Sequence, residues 1–405
     1  MNNAPTPIIS NRFEVILMVI LSFVVSTKLI WLQMDPHQIS VTDEFYSTSL
    51  AFNRTLSRGC SIPVGRDFPL SSTPVVATRD PNVSTSPGLA LILFTLCNVE
   101  RLNIGSYSDL APYFVSIGAF FTAVTARVLT SSWVGGMIAA SVILSRGTIL
   151  QATRIAGSYS LAQPLMCLFF LLLVFYTYAQ SALWLALLSV VLAFILILNP
   201  LQLLISWPIA LMTAIVFFRR QGKHNVPSGR FFQQPSTYLA LITLLPIAVF
   251  LIKKFSPSAV KSLAAVFHLA ASSFNNPGAL GPWINASFAN LKHGDLQWQL
   301  SLAVVAICSF ASKWLPKGTS HCLRLLFTMT VLAAIIDGAL VSSATEATFE
   351  LSSNYVPGIS VATISFEPIL VGMSASLVWY FVRHVLIIFY PNYSKAEPPR
   401  DRIRS

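Results

Sequence analysis

Predominantly apolar runs of roughly 20 residues, the length a helix needs to cross a bilayer, recur about ten times along this chain. They cover 13–32, 109–128, 133–150, 161–179, 182–198, 201–218, 237–252, 299–315, 324–342 and 368–390. In lipid no water is available to hydrogen-bond the backbone, so such runs can only fold as helices. The composition agrees: of 405 residues, 54% are hydrophobic and 10% charged, where soluble domains carry about 25% charged residues. The expected fold is an all-α polytopic membrane protein with about 10 transmembrane helices. No internal repeat or separate soluble domain is visible, so residues 1–405 read as a single transmembrane domain. Phe13 to Leu32 contains Glu14 and Lys28 and shows no clear small-residue cleavage site, so it is read as a retained first span rather than a signal peptide.

Lys and Arg in short loops set the expected orientation. Three basic segments stand out: Arg219-Arg220-Gln221-Gly222-Lys223 with Arg230, the stretch Lys313 to Arg324, and a tail (about 391–405) carrying Lys395, Arg400, Arg402 and Arg404. Ten spans place all three on one side with the N-terminus, so both termini are expected to be cytoplasmic. The net charge of +11 is explained by this retention, and no nucleic-acid partner is implied. The opposite, outer side then receives a large first loop (about 33–108), the 151–160 turn, a loop of about 253–298, and 343–367. The apolar stretch 88–99 is too short to span and is expected to lie in the interface or re-enter, as a juxtamembrane helix.

An acidic pair, Asp43-Glu44, stands shortly beyond the first span. Adjacent carboxylates at the mouth of a bilayer need something polar to act on. Their place points to an enzyme working at the membrane surface on a lipid-borne substrate. Long outer loops and short inner ones put the chemistry on the outer face.

Three stretches share an order and a side: Thr42-Asp43-Glu44-Phe45-Tyr46 after the first span, Ser86-Pro87-Gly88-Leu89-Ala90-Leu91 before the short apolar stretch, and Arg154-Ile155-Ala156-Gly157-Ser158-Tyr159-Ser160-Leu161 entering an aromatic-rich span. In these the chain resembles the GT-C glycosyltransferases, which include the protein O-mannosyltransferases and the aminoarabinose transferase of lipid A. The likeness covers roughly the first half of the chain. It departs from the family at Ala111-Pro112-Tyr113, where the mannosyltransferases place an Arg, and at Gln163-Pro164, where an acidic residue is common.

The resemblance implies a polyprenyl-phosphate-linked sugar donor entering from the membrane lipids, and a glycan, lipid or protein acceptor. It makes Asp43 the candidate general base, taking the acceptor hydroxyl proton as the anomeric carbon is attacked. Glu44 would orient the acceptor, hold a divalent cation, or raise the proton affinity of Asp43 by like-charge repulsion. The donor phosphate calls for Arg and Lys. Arg154 leads, followed by Lys253 and Lys254, whose outer position runs against the positive-inside trend. Arg58, Arg66, Arg146 and Lys261 are further outer-face cations; snorkelling to headgroups is an equal account of the lysines and an alternative for Arg154.

Asp337, an ionisable residue within a span, is a site candidate on that ground alone. Asp109 and Tyr159 are candidates for lining the same cavity, with helix capping an equal account of Asp109. Trp283, Trp298 and Tyr355 could stack on a sugar or belong to an interfacial belt. His268, His293 and Asp295 lack zinc-site spacing, so no metal is assigned. Cys60 and Cys97 could form a disulfide in the first outer loop; Cys167 and Cys308 fall in spans and Cys322 in a cytoplasmic segment. Small size without an appended lumenal domain points to a bacterial inner membrane, with sequons at Asn53, Asn82 and Asn285 leaving the endoplasmic reticulum as the alternative. Two other function classes stay open: an O-antigen polymerase- or ligase-like enzyme using later basic loops, and a non-catalytic transporter or scaffold subunit.

Overall fold

The computed structural model describes residues 12–34, 62–63, 77–78, 106–147, 149, 158–179, 182–198, 205–210, 281, 284–285, 296–311, 313–316, 318–344 and 361–389. Almost all are helical. The helices are α1 (Arg12–Met34), α2 (Ser106–Thr130), α3 (Trp133–Leu144), α4 (Ser158–Ala179), α5 (Ala182–Leu198), α6 (Leu296–Phe310), α7 (Thr319–Ala344) and α8 (Val361–Phe389). The β structure among the described residues is a two-residue antiparallel pairing of β1 (Ile62–Pro63) with β2 (Ala77–Thr78).

Among the described residues, three helical segments are long and apolar enough to cross a membrane: Phe13–Trp31, Pro112–Thr130 and Ser365–Ile387. Shorter apolar helices accompany them, including Trp133–Leu144 and Leu296–Phe310. The expected runs 13–32, 109–128, 161–179, 182–198, 324–342 and 368–390 coincide with helices, while the helix within the 299–315 run ends at Phe310. Only 205–210 of the 201–218 run is described, and 237–252 lies outside the described residues. The 133–150 run is shorter than expected, because α3 ends at Leu144 with Ser145 as its C-cap. Gly147 follows, a poor helix former, and the backbone there turns through Arg146 N–H to Ile143 O and Ile149 N–H to Arg146 O. In the other direction, α7 and α8 begin several residues earlier than expected.

Contacts between helix ends show that the helices alternate in direction. One end of the bundle, termed lower here, holds the start of α1, the end of α2, the start of α3, the end of α4, the start of α7 and the end of α8. The α2–α3 turn there is only Ser131-Ser132, with Ser131 at φ 55 in the left-handed region, strained for a residue with a Cβ. Three contacts hold it. The Ser132 hydroxyl accepts from Gly135 N–H and caps α3, Trp379 Nε1 donates to the same oxygen at 3.2 Å, and Arg127 stacks 3.8 Å from the Trp133 ring centroid. Nearby, Thr319 Oγ1 donates to Leu129 O at 3.0 Å. That leaves the Tyr178 hydroxyl to donate to Thr319 Oγ1 at 3.1 Å. Gly318 sits at φ 91, where a side chain would be strained, and a Cβ there would lie 3.2 Å from the Tyr178 ring, a tight contact.

The core is built from Phe169, Phe170, Met166, Leu129, Leu326, Phe366 and Leu370 with their neighbours. Lipid tails are as apolar as leucine, so helices in a membrane associate by close backbone approach rather than by hydrophobic burial. Small residues supply that approach. A Cβ on Gly136 would lie 2.7 Å from the Ala123 carbonyl oxygen, and one on Gly372 would lie 2.8 Å from Thr122 Cγ2. Hydroxyls inside the bundle bond back to their own helix, as Thr122 does to Gly118 O and Thr330 to Leu326 O, a usual way to satisfy them away from water.

Gly136→Ala should therefore destabilise the purified protein, since backbone must move to admit the methyl group. Overpacking of this kind costs about 1–3 kcal/mol. Gly147→Ala, with nothing within 4 Å of the new Cβ, is the control expected to melt like wild type in the same detergent. Equal melting of both variants would count against the α2–α3 packing described here.

Candidate functional site

The upper end of the bundle is where α1 and α3 finish and where α2, α4, α6 and α8 begin. Val25 and Leu29 of α1 pack there against Val115, Ala119, Ile143, Leu144 and Ile149. Three of the helices that start at this end carry a proline six or seven residues in: Pro112 in α2, Pro164 in α4 and Pro368 in α8. Each removes an N–H from its helix and frees a carbonyl one turn earlier. The upper end is thus less regular than the lower.

Its central feature is a buried charge cluster. Arg146, just past the end of α3, forms an ion pair through Nε with Glu367 Oε1, the two side chains being 8% and 3% exposed. Arg146 Nη1 also donates to Gln297 Oε1 at 2.6 Å. Gln297 is the second residue of α6 and faces solvent or headgroups. Three helices that are distant in sequence are thereby joined at one level. A cation at the C-terminal end of α3 also complements that helix's dipole. One turn of α6 further down, Ser374 Oγ donates to Ser301 Oγ at 2.9 Å, extending the polar seam between α6 and α8.

Asp43, Glu44, Arg58, Arg66, Arg154, Lys253 and Lys254 lie outside the described residues, as do Cys60 and Cys97. Asp109 is in the first turn of α2 and Tyr159 in the first turn of α4, both at the upper end. Asp337 lies eighteen residues into α7, which starts at the lower end; at 1.5 Å per residue that is about 27 Å along the axis, again toward the upper end.

Other readings change. Arg146, expected as a free outer-face cation, is engaged by Glu367. Trp298, expected in an outer loop as a stacking or interfacial-belt residue, lies in α6 and is 2% exposed within the core. Cys322, expected in a cytoplasmic segment, lies in α7 and is buried; Cys167 and Cys308 are buried in helices as expected. Among the described residues no group of His, Cys, Asp or Glu is arranged to hold a metal ion.

Sequence reasoning missed Glu367. It falls directly before Pro368, which made the span look as though it opened at the proline. The available signal was its place: a lone carboxylate at the edge of an apolar run, where burial is costly without a cationic partner.

Comparison with protein-family models, curated proteins and solved structures gives no match.

Breaking a buried ion pair by removing one partner strands the other charge and costs about 3–5 kcal/mol. Glu367→Gln should therefore lower thermal stability strongly, whereas Gln297→Ala, which loses one exposed hydrogen bond, should cost about 1 kcal/mol. Melting curves of the two variants in one detergent check this. A Glu367→Gln protein as stable as wild type would mean that the cluster does not join the three helices.

Proposed function

We propose that this protein is a GT-C-type integral membrane glycosyltransferase. It would move a sugar from a polyprenyl-phosphate donor to a glycan, lipid or protein acceptor at the outer face of the membrane. In this reading the upper end of the bundle is the outer face, about ten helices span the bilayer, and both termini are cytoplasmic. The donor slides in from the lipid, and Asp43 takes the acceptor proton as the anomeric carbon is attacked. The phosphate falls to Arg154, Lys253 and Lys254, with Arg58 and Arg66 in reserve, because the Arg146 charge is already met by Glu367.

The observation that supports this most is one of sidedness. α1 finishes at the upper end, so Asp43-Glu44 follow from that end in the chain. The helix positions of Asp109, Tyr159 and Asp337 lie toward the same end. The described candidates Asp109, Tyr159 and Asp337 therefore stand toward the end from which the segment carrying Asp43-Glu44 departs, which supports the reading. The buried Arg146–Glu367 pair beneath it would hold α3, α6 and α8 in fixed relation, which a site assembled from several segments requires.

A non-catalytic membrane subunit is the second reading. The internal neutralisation of Arg146 favours it, since a purely structural brace would look the same.

The deciding assay is transfer in membranes from radiolabelled polyprenyl-phosphate sugars, comparing wild type with Asp43→Asn at equal protein level. Loss of a general base typically lowers the rate about 10²–10⁴-fold. Wild-type transfer with a silent Asp43→Asn would establish class and base together. Full activity in the variant would remove Asp43 as the base, and no transfer from any such donor by folded wild type would favour the subunit reading.

A further inference from the structure

α1 is a helix turned inside out. Its apolar side chains Ile16, Val19, Phe23 and Ile30 are exposed, with Val19 at 65%. The one fully buried side chain among its described residues is a charge, Glu14 at 4%. Glu14 Oε1 lies 2.8 Å from Arg383 Nε of α8, and that arginine is only partly exposed. Neither atom has a hydrogen-bond partner among the described residues, so the ion pair itself is what meets both.

The rest of the α1 interface is modest. Along its upper half Val25 and Leu29 touch the small cluster around Ile143, and α1 lies mainly against α3. In a bilayer this apolar contact has little driving force, because Val25 and Leu29 would be as comfortable in lipid. The ion pair is different. A carboxylate and a guanidinium in an apolar layer have no equivalent partner outside the protein. Separation of α1 from α8 would strand both.

We infer that Glu14–Arg383 is an electrostatic latch that docks α1 on the bundle and sets its depth and rotation. The geometry gives it that authority. It sits at the lower end, in the first turn of α1, while the apolar contacts sit toward the other end. Two fixed points so far apart along a helix define its axis, and one alone does not. Lys28, the other ionisable side chain described on α1, stacks over Trp31 of its own helix at 5.4 Å, and among the described residues no ion pair ties it to the bundle.

The test is a distance that does not depend on turnover. Nitroxide labels go on Val19→Cys of α1 and Val190→Cys of α5, both on exposed positions, the latter 46% exposed. Cys60 and Cys97 are replaced by serine; Cys167, Cys308 and Cys322 are buried and left in place. Pulsed spin–spin measurements on the full chain in lipid nanodiscs should give one narrow distance distribution. Glu14→Gln and Arg383→Gln should each broaden or shift it, and the exchanged pair Glu14→Arg with Arg383→Glu should restore it. If the neutral variants fail to accumulate, recovery of folded protein with the native distance in the exchanged pair supports the latch equally. An unchanged distribution in Glu14→Gln would overturn it, as would disruption that the exchange does not repair. Because the readout is a distance, it stands or falls separately from the glycosyltransferase reading.

Discussion

A polar group carried into an apolar layer has to be met from within the protein, and this one requirement organises the bundle. Its mildest form is the hydroxyl. Thr122, Thr125, Thr130, Ser141 and Thr330 each bond the carbonyl one turn earlier in their own helix, so they cost the interface nothing. The demanding form is the full charge. Glu14 and Glu367 are both buried, and each is answered by an arginine on another helix.

Both answers involve α8. Glu367 lies near its upper end and Arg383 near its lower end; their separation of sixteen positions spans about 24 Å of helix axis. That is most of the thickness of a hydrocarbon core, about 30 Å. Between the charges α8 presents Gly372, Ser374 and Ser376, small enough for α2, α3 and α6 to approach closely. α8 therefore acts as the post to which α1 is tied below, and α3 and α6 above.

The two ends are built for different purposes. Below, the connections are tight: two residues separate α2 from α3 and two separate α4 from α5. The aromatic side chains Trp133, Tyr178, Trp314 and Tyr380 gather there beside Arg127 and Arg324, as expected where helices leave the apolar layer. Above, the helix ends flank long intervening segments, 35–105 and 345–360 among them, and prolines interrupt α2, α4 and α8 in their second turns.

Much of this was legible in the sequence, because the apolar run is a local signal: helix formation in lipid depends on the run itself and not on what it meets. The runs predicted helices at 13–32, 109–128, 161–179 and 182–198 with ends close to those observed. Partnership was not legible. Glu14 read as an oddity inside a span, Arg146 as a free cation and Trp298 as a loop aromatic, because each is defined by residues far away in the chain. The choice of Arg383 for Glu14 and of Glu367 for Arg146 bridges more than two hundred residues in both cases. The sequence by itself determined where the chain is helical and which side chains are costly to bury. Only the tertiary structure decided which opposite charge meets each one, since a buried charge is satisfied by a partner in space and the chain order carries no record of it.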